Sequence, residues 1–168
     1  ENIAACIVEP IAGSTGTLVP PKGYLQKLRE TCDKHGILLI FDEVITGWGR
    51  TGSSFASIEY GVTPDIMTMA KATTNGVVPM GVVACKDEIY DSVMDASPKG
   101  SIELFHGYTY SGIPVAVAAA LAVQDIFEKE DIFERAKNLA PYFQKGLFSL
   151  QDLESVENIR GYGMMGGI

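Results

Sequence analysis

Three short apolar runs in this sequence lead into ionisable residues: "IAACIV" into Glu9, "ILLIF" into Asp42, and "IMTM" into Ala70 and Lys71. Each reads as a buried strand. In an open α/β sheet, the carboxyl ends of the strands are where ligands bind. Taken singly, each residue has an ordinary explanation. A carboxylate after a strand commonly caps a helix or meets water, and a lone lysine is commonly solvated. Taken together, an amine and a carboxylate on neighbouring strand ends suit one kind of chemistry. The amine condenses with an aldehyde, and the acid holds a proton on a ring nitrogen so that the ring can accept electrons.

Pyridoxal phosphate makes both demands. Its lysine must shed a proton to attack, which calls for a desolvated or cationic surrounding. Other chemistries find less support. There is no GxxxxGK[ST], no GxGxxG after a strand, and "GSTG" after the first strand is not the GxSxG of a nucleophile elbow. His106 and Ser111 have no spacing that suggests a triad. Cys6, Cys32 and Cys85 are far apart, and only His35 and His106 accompany them, so no zinc or other metal site is expected. Three reduced thiols in a cytoplasmic protein is the favoured reading. A net charge of −8 and a pI near 4.7 argue against nucleic acid and anionic membrane as partners. The longest apolar run, Pro114 to Val123, is too short to span a bilayer.

The elements that would position these residues alternate in type. Ile3–Val8 is a predicted strand, closed by Glu9-Pro10, and a glycine-bearing loop follows. A helix is predicted from about Lys22 to His35, with Leu25, Leu28 and Cys32 on one face and Gly36 as its cap. Further strands are predicted at Ile37–Phe41, Ile66–Met69 and "GVVACK". "SSFASIEYG" and "DEIYDSVM" read as short helices, and Ser97 to Gly112 as loop. Helices follow from Pro114 to about Phe127 and from Asp131 to about Leu150. The second of these has an apolar stripe of Ile132, Phe133, Ala136, Leu139, Ala140 and Phe143. "SVENIRGYG" reads as a strand. At 46% hydrophobic residues in a chain of 168, a real core is expected. The alternation predicts an α/β fold with a largely parallel sheet.

Four stretches, "IVEPIAGSTG", "LLIFDEVITGWGRTG", "DIMTMAKATTNGVVPMG" and "ELFHGYTYSGIPVAVAAALA", together resemble the class III, fold type I pyridoxal-phosphate aminotransferases. "LFHGYTYSG" and "TNGVVPMG" are most similar to the omega-amino acid:pyruvate (beta-alanine–pyruvate) transaminases. The resemblance covers essentially the whole chain. It implies that residues 1–127 are the C-terminal part of the cofactor-binding large domain, with a mainly parallel sheet. Residues 128–168 then begin the small α+β C-terminal domain. It implies a homodimer or higher homo-oligomer, a small amino donor, and pyruvate as acceptor.

The resemblance also assigns roles. Lys71 is the lysine that bonds the cofactor aldehyde and later moves the proton between substrate and cofactor carbons. Asp42 pairs with the pyridine nitrogen, Val44 packs on the ring face, and Glu9 organises the ring's polar edge. Thr109 contacts the phosphate from the partner subunit. Glu43 is implied to support these from behind, paired with Arg50, and Trp48 stands either at the substrate entrance or in simple packing. One position departs from the pattern: the family usually reads "SGHPVA", and here the third residue is Ile113. If the usual histidine only caps the next helix, little is lost; if it supports the loop carrying Thr109, phosphate binding is weaker. Family chains are much longer, so the phosphate-cradling Gly-Ser turn, the stacking aromatic and the substrate-gripping arginine are expected outside this sequence. The readings that compete are another class III pyridoxal-phosphate enzyme, such as a different aminotransferase or an aminomutase, and a non-catalytic truncated chain that self-associates or is poorly soluble.

Overall fold

The computed structural model describes residues 2–101 and 108–168. The elements run β1 (Ala5–Val8), α1 (Tyr24–His35), β2 (Leu38–Asp42), α2 (Ala56–Tyr60), β3 (Ile66–Met69), β4 (Val82–Cys85), α3 (Asp87–Ala96), α4 (Pro114–Lys129), α5 (Ile132–Phe148), β5 (Arg160–Tyr162) and β6 (Met165–Gly167). Short 3₁₀ turns occupy Lys71–Thr73 and Tyr108–Tyr110.

One four-stranded sheet, in the order β1-β2-β3-β4, carries the fold. β1, β2 and β3 are parallel, with Val8 opposite Phe41 and Asp42 opposite Thr68. β4 runs antiparallel to β3, Thr68 opposite Val83. The reversal follows from the connection: Ala70 to Gly81 holds no crossover helix, and a parallel return would need one. The sheet is therefore parallel over three strands, with an antiparallel edge.

The core forms where α1 packs on one face of the sheet. Leu39 and Phe41 are fully buried against Leu25, Cys32 and Val62, with Cys6, Val8 and Leu28 alongside. The opposite face is open in this chain: Ile7 is 62% and Val83 67% exposed. β1 is thus a half-exposed edge strand rather than the buried strand expected, because it has a neighbour on one side and cover on one face. It begins at Ala5, since pairing starts with the Leu38 N–H donating to the Ala4 carbonyl.

α1 starts two residues later than expected because Gly23 is left-handed (φ 83) and separates Pro20-Pro21 from the helix. Its end matches the expectation. Gly36 is left-handed (φ 64), and the Ile37 N–H donates back to the Cys32 carbonyl. The strand expected over "SVENIRGYG" shrinks to β5. Gly163 (φ 58) turns the chain there, and β6 pairs antiparallel with β5. Gln144 of α5 holds this hairpin by donating to the Gly163 and Met165 carbonyls, both at 2.9 Å. Among the described residues, no helix is long and apolar enough to cross a membrane.

Candidate active site at the carboxyl edge of the sheet

β2 runs one residue further than its apolar stretch, so Asp42 is the last residue of the strand itself. Lys71 lies two residues beyond the end of the adjacent β3. Glu9 follows directly on β1. With Val8 opposite Phe41 and Asp42 opposite Thr68, the order of three parallel strands brings Glu9, Asp42 and Lys71 to one edge of the sheet, Lys71 three residues beyond the partner of Asp42.

A cleft of about 400 Å³ opens at this edge. Its walls come from four segments: the loop Gly13–Thr17, the loop Val44–Arg50, Lys71 with Ala72, and Met164–Gly166 of the C-terminal hairpin. Lys71 and Val44 line it together. A larger cleft of about 700 Å³ adjoins it and shares Arg50, Ala72 and Met164. Among the described residues, no lysine or carboxylate lines the larger cleft, so the amine chemistry belongs to the smaller one.

One oxygen of Asp42, Oδ1, accepts the Val44 N–H at 3.0 Å, which fixes the carboxylate over its own turn. Among the described residues, its second oxygen and the Lys71 ammonium have no hydrogen-bond partner. Glu9 is tied locally: its Oε2 accepts the Gly13 N–H at 2.9 Å and shapes the loop that forms one wall. Gly13 must be small, because a Cβ there would stand 2.7 Å from the Ile45 side chain.

The backbone around the cleft departs from ordinary geometry. Lys71 (φ 45), Trp48 (φ 60) and Asn75 (φ 51) are all left-handed. For residues other than glycine this costs about 1–2 kcal/mol each, less for asparagine, and such strain collects at functional sites. Hydrogen bonds secure the Lys71 turn. The Thr73 N–H donates to the Ala70 carbonyl (3.0 Å), and the Gly76 N–H to the Lys71 carbonyl (3.3 Å).

Glu43 overturns its expected pairing with Arg50. It is fully buried, and its carboxylate accepts the Thr46 hydroxyl (2.8 Å) and the Ala56 (2.8 Å) and Ser57 (2.7 Å) N–H groups. The adjacent acids have thus parted company, one ending β2 and one capping α2, whose first amides have no intrahelical acceptor. Arg50 is exposed and lines both clefts. Trp48 both lines the larger cleft and packs, its ring 5.0 Å from Phe55 and stacked at 5.6 Å on Phe127.

Thr109 sits exposed on the Tyr108–Tyr110 turn and is not among the residues lining the Lys71 cleft. Ile113 precedes α4 with extended ψ and is followed by Pro114 at the first helical position; its carbonyl accepts the Ala116 and Val117 N–H groups. His106 lies outside the described residues. Among those described, no group of three or more His, Cys, Asp or Glu is arranged to hold a metal ion.

Sequence reasoning passed over Asp65. It lies at the start of β3, the end opposite Lys71, and is 7% exposed. It accepts from Arg29 (2.8 Å), Lys86 (2.6 Å) and the Leu39 N–H (2.7 Å). Burial alone would push its carboxyl up. Lys86, the Leu39 N–H and Arg29 outweigh that and hold it down to about 2. The only signal in the sequence was an acid between Pro64 and an apolar strand.

The residues at the carboxyl edge fit pyridoxal phosphate. The Lys71 amine and an apolar Val44 side chain share one small cleft; Asp42 and Glu9 do not line it, but Asp42, with one oxygen fixed and one without a partner among the described residues, ends the strand next to the one that leads to Lys71. The Aminotransferase class-III family profile matches residues 1–168. Over all 168 residues the chain is 56% identical to the omega-aminotransferase of Caulobacter vibrioides, and over 169 aligned positions 55% identical to the beta-alanine–pyruvate aminotransferase of Pseudomonas aeruginosa. It spans 38% of the length of each. Its fold matches the crystal structure of an (S)-enantioselective omega-transaminase from Thermomicrobium roseum with a TM-score of 0.89 at 44% identity, covering 96% of this chain and 35% of that one.

Proposed function

This chain belongs to the class-III aminotransferases, fold type I pyridoxal-phosphate enzymes, and we propose that it serves amino-group transfer from an omega-amino acid or amine, beta-alanine among the donors, to pyruvate. The observation that carries the reading is the placement of Asp42 and Lys71 at the carboxyl ends of adjacent parallel strands, with Lys71 in a cleft that it shares with Val44. Similarity to an omega-aminotransferase (56% identical) and a beta-alanine–pyruvate aminotransferase (55% identical) supports the choice of donor and acceptor.

When bound, pyridoxal phosphate supplies an aldehyde that captures amines and a ring that accepts the electrons released at the substrate carbon. Lys71 gives the amine that holds the cofactor. Displaced by the donor, the same amine would move the proton from the donor's reacting carbon to the carbon that had been the cofactor's aldehyde. Asp42, oriented by the Val44 N–H, keeps the proton on the ring nitrogen. Val44 would pack against the ring, and Glu9 holds the Gly13–Thr17 wall in place. Thr109, exposed on its turn, reaches the phosphate of a second copy in a homodimer. On the same reading residues 1–127 belong to the cofactor-binding domain and 128–168 open the smaller one.

The test is direct. The protein is mixed with pyridoxal phosphate, reduced with borohydride and digested, and the modified lysine is mapped by mass spectrometry. Modification confined to Lys71, lost in Lys71→Ala, supports the assignment; modification at other lysines in a protein that transfers amino groups refutes it. Formation of alanine from pyruvate with beta-alanine as donor tests the substrate class.

A further inference from the structure

The indole N–H of Trp48 donates to the Thr73 hydroxyl at 3.1 Å. That hydroxyl in turn donates to the Ala70 carbonyl at 2.9 Å. Thr73 is 3% exposed, so the pair is shielded from competing water. These two bonds join the loop after β2 to the turn that begins at Lys71, and they do so across the left-handed Lys71 backbone. Trp48 is itself braced: its backbone N–H donates to the Ser54 carbonyl at 2.6 Å, and its ring is stacked on Phe127 near the end of α4.

We infer that Trp48 is a positioning residue for Lys71, acting through Thr73. A left-handed lysine persists only where its surroundings over-determine it. Ala70 and Thr73 flank the strained residue, and the Trp48–Thr73–Ala70 chain fixes both from the Trp48 side. The ring supplies the rigid anchor, and the N–H supplies the link. A phenylalanine could stack on Phe127 and leave the Thr73–Ala70 turn without its link to the loop after β2. The inference rests on Lys71 being the residue that bonds the cofactor.

The test compares Trp48→Phe, Thr73→Val and Thr73→Ser in the cofactor-loaded protein. Trp48→Phe keeps the ring and removes the donor. Thr73→Val keeps the shape and removes the hydroxyl, and serves if Trp48→Phe does not fold. Thr73→Ser retains the hydroxyl. Two readouts separate positioning from packing: hydrogen–deuterium exchange of the Thr73 and Gly76 amides, and the pH at which the visible absorption of the bound cofactor changes. In Trp48→Phe and Thr73→Val, exchange at both amides rises about tenfold, the size of one lost hydrogen bond. The absorption midpoint moves by about half a pH unit. Thr73→Ser stays at the wild-type values. Wild-type exchange and midpoint in Trp48→Phe overturn the inference, as does a Thr73→Ser protein that behaves like Thr73→Val. Borohydride mapping of the wild type to a lysine other than Lys71 overturns the functional assignment as well, and so tells the two failures apart.

Discussion

Replacing Glu43 by glutamine changes one oxygen into an amide nitrogen and removes the charge, with almost no change in volume. The site has no room for the exchange. Oε2 accepts from Thr46 and Ala56, and Oε1 from Ser57, in a fully buried setting. With the amide nitrogen in the Oε1 position, the Ser57 N–H loses its only acceptor, a cost of about 1–3 kcal/mol. The two bonds that remain become neutral ones, roughly half as strong as before. Together these predict a loss of about 3 kcal/mol. Thr46→Val, which removes one donor and leaves the carboxylate its two amides, is expected to cost only about 1 kcal/mol. Urea unfolding followed by circular dichroism measures both; the midpoint falls while the slope stays fixed. A Glu43→Gln protein no less stable than Thr46→Val would refute the account of Glu43 as the cap of α2.

The buried Asp65 makes stability depend on pH. Its carboxyl is held near 2 in the fold against an ordinary value near 3.8, so the stabilisation is complete above about pH 4 and lost as pH falls toward 2. It amounts to about 1–2 kcal/mol once the half-exposed Lys86 partner is allowed for, and Asp65→Asn should flatten the unfolding free energy across that interval. Gly13→Ala would set a Cβ against Ile45 at 2.7 Å and is expected to cost about 1–3 kcal/mol; Ile45→Ala in the same protein should recover most of the loss, and unfolding curves for the two single variants and the double variant decide it.

Much of the carboxyl edge could be read from residue order. Parallel strands joined by crossover connections put Glu9, Asp42 and Lys71 on one side of the sheet, and an apolar run that stops at an ionisable residue is visible in one sequence. The helices α4 and α5 were equally plain, with Pro114 marking the start of the first and the 132–143 stripe running through the second. Glu43 was misread as paired with Arg50 because a nearby opposite charge is visible in the sequence, whereas its actual partners are a hydroxyl and two backbone N–H groups. Consecutive side chains leave an extended chain in opposite directions, and that alternation was the available hint. Asp65 was invisible for another reason. Its three partners, Arg29, Leu39 and Lys86, lie 36, 26 and 21 residues away. Only the assembled sheet and α1 bring them together. The C-terminal wall of the cleft was missed because "GYGMMGG" has no side-chain periodicity, and its pairing depends on a turn at Gly163.

The antiparallel return of β4 gives the lysine segment an unusual kind of freedom. Ala70 to Gly81 is the tip of a hairpin whose two legs are zipped to each other in the sheet. Its ends are held a strand's width apart whatever its length. Lengthening such a tip is inexpensive, about 0.6 kcal/mol for each doubling. Insertions beyond Gly76 would therefore barely tax the fold, whereas one between Met69 and Lys71 would swing the amine away from Asp42. The hairpin thus divides the segment into an addressed half, fixed in register to the sheet, and a half free to vary. New substrate contacts could evolve in the second without disturbing the first.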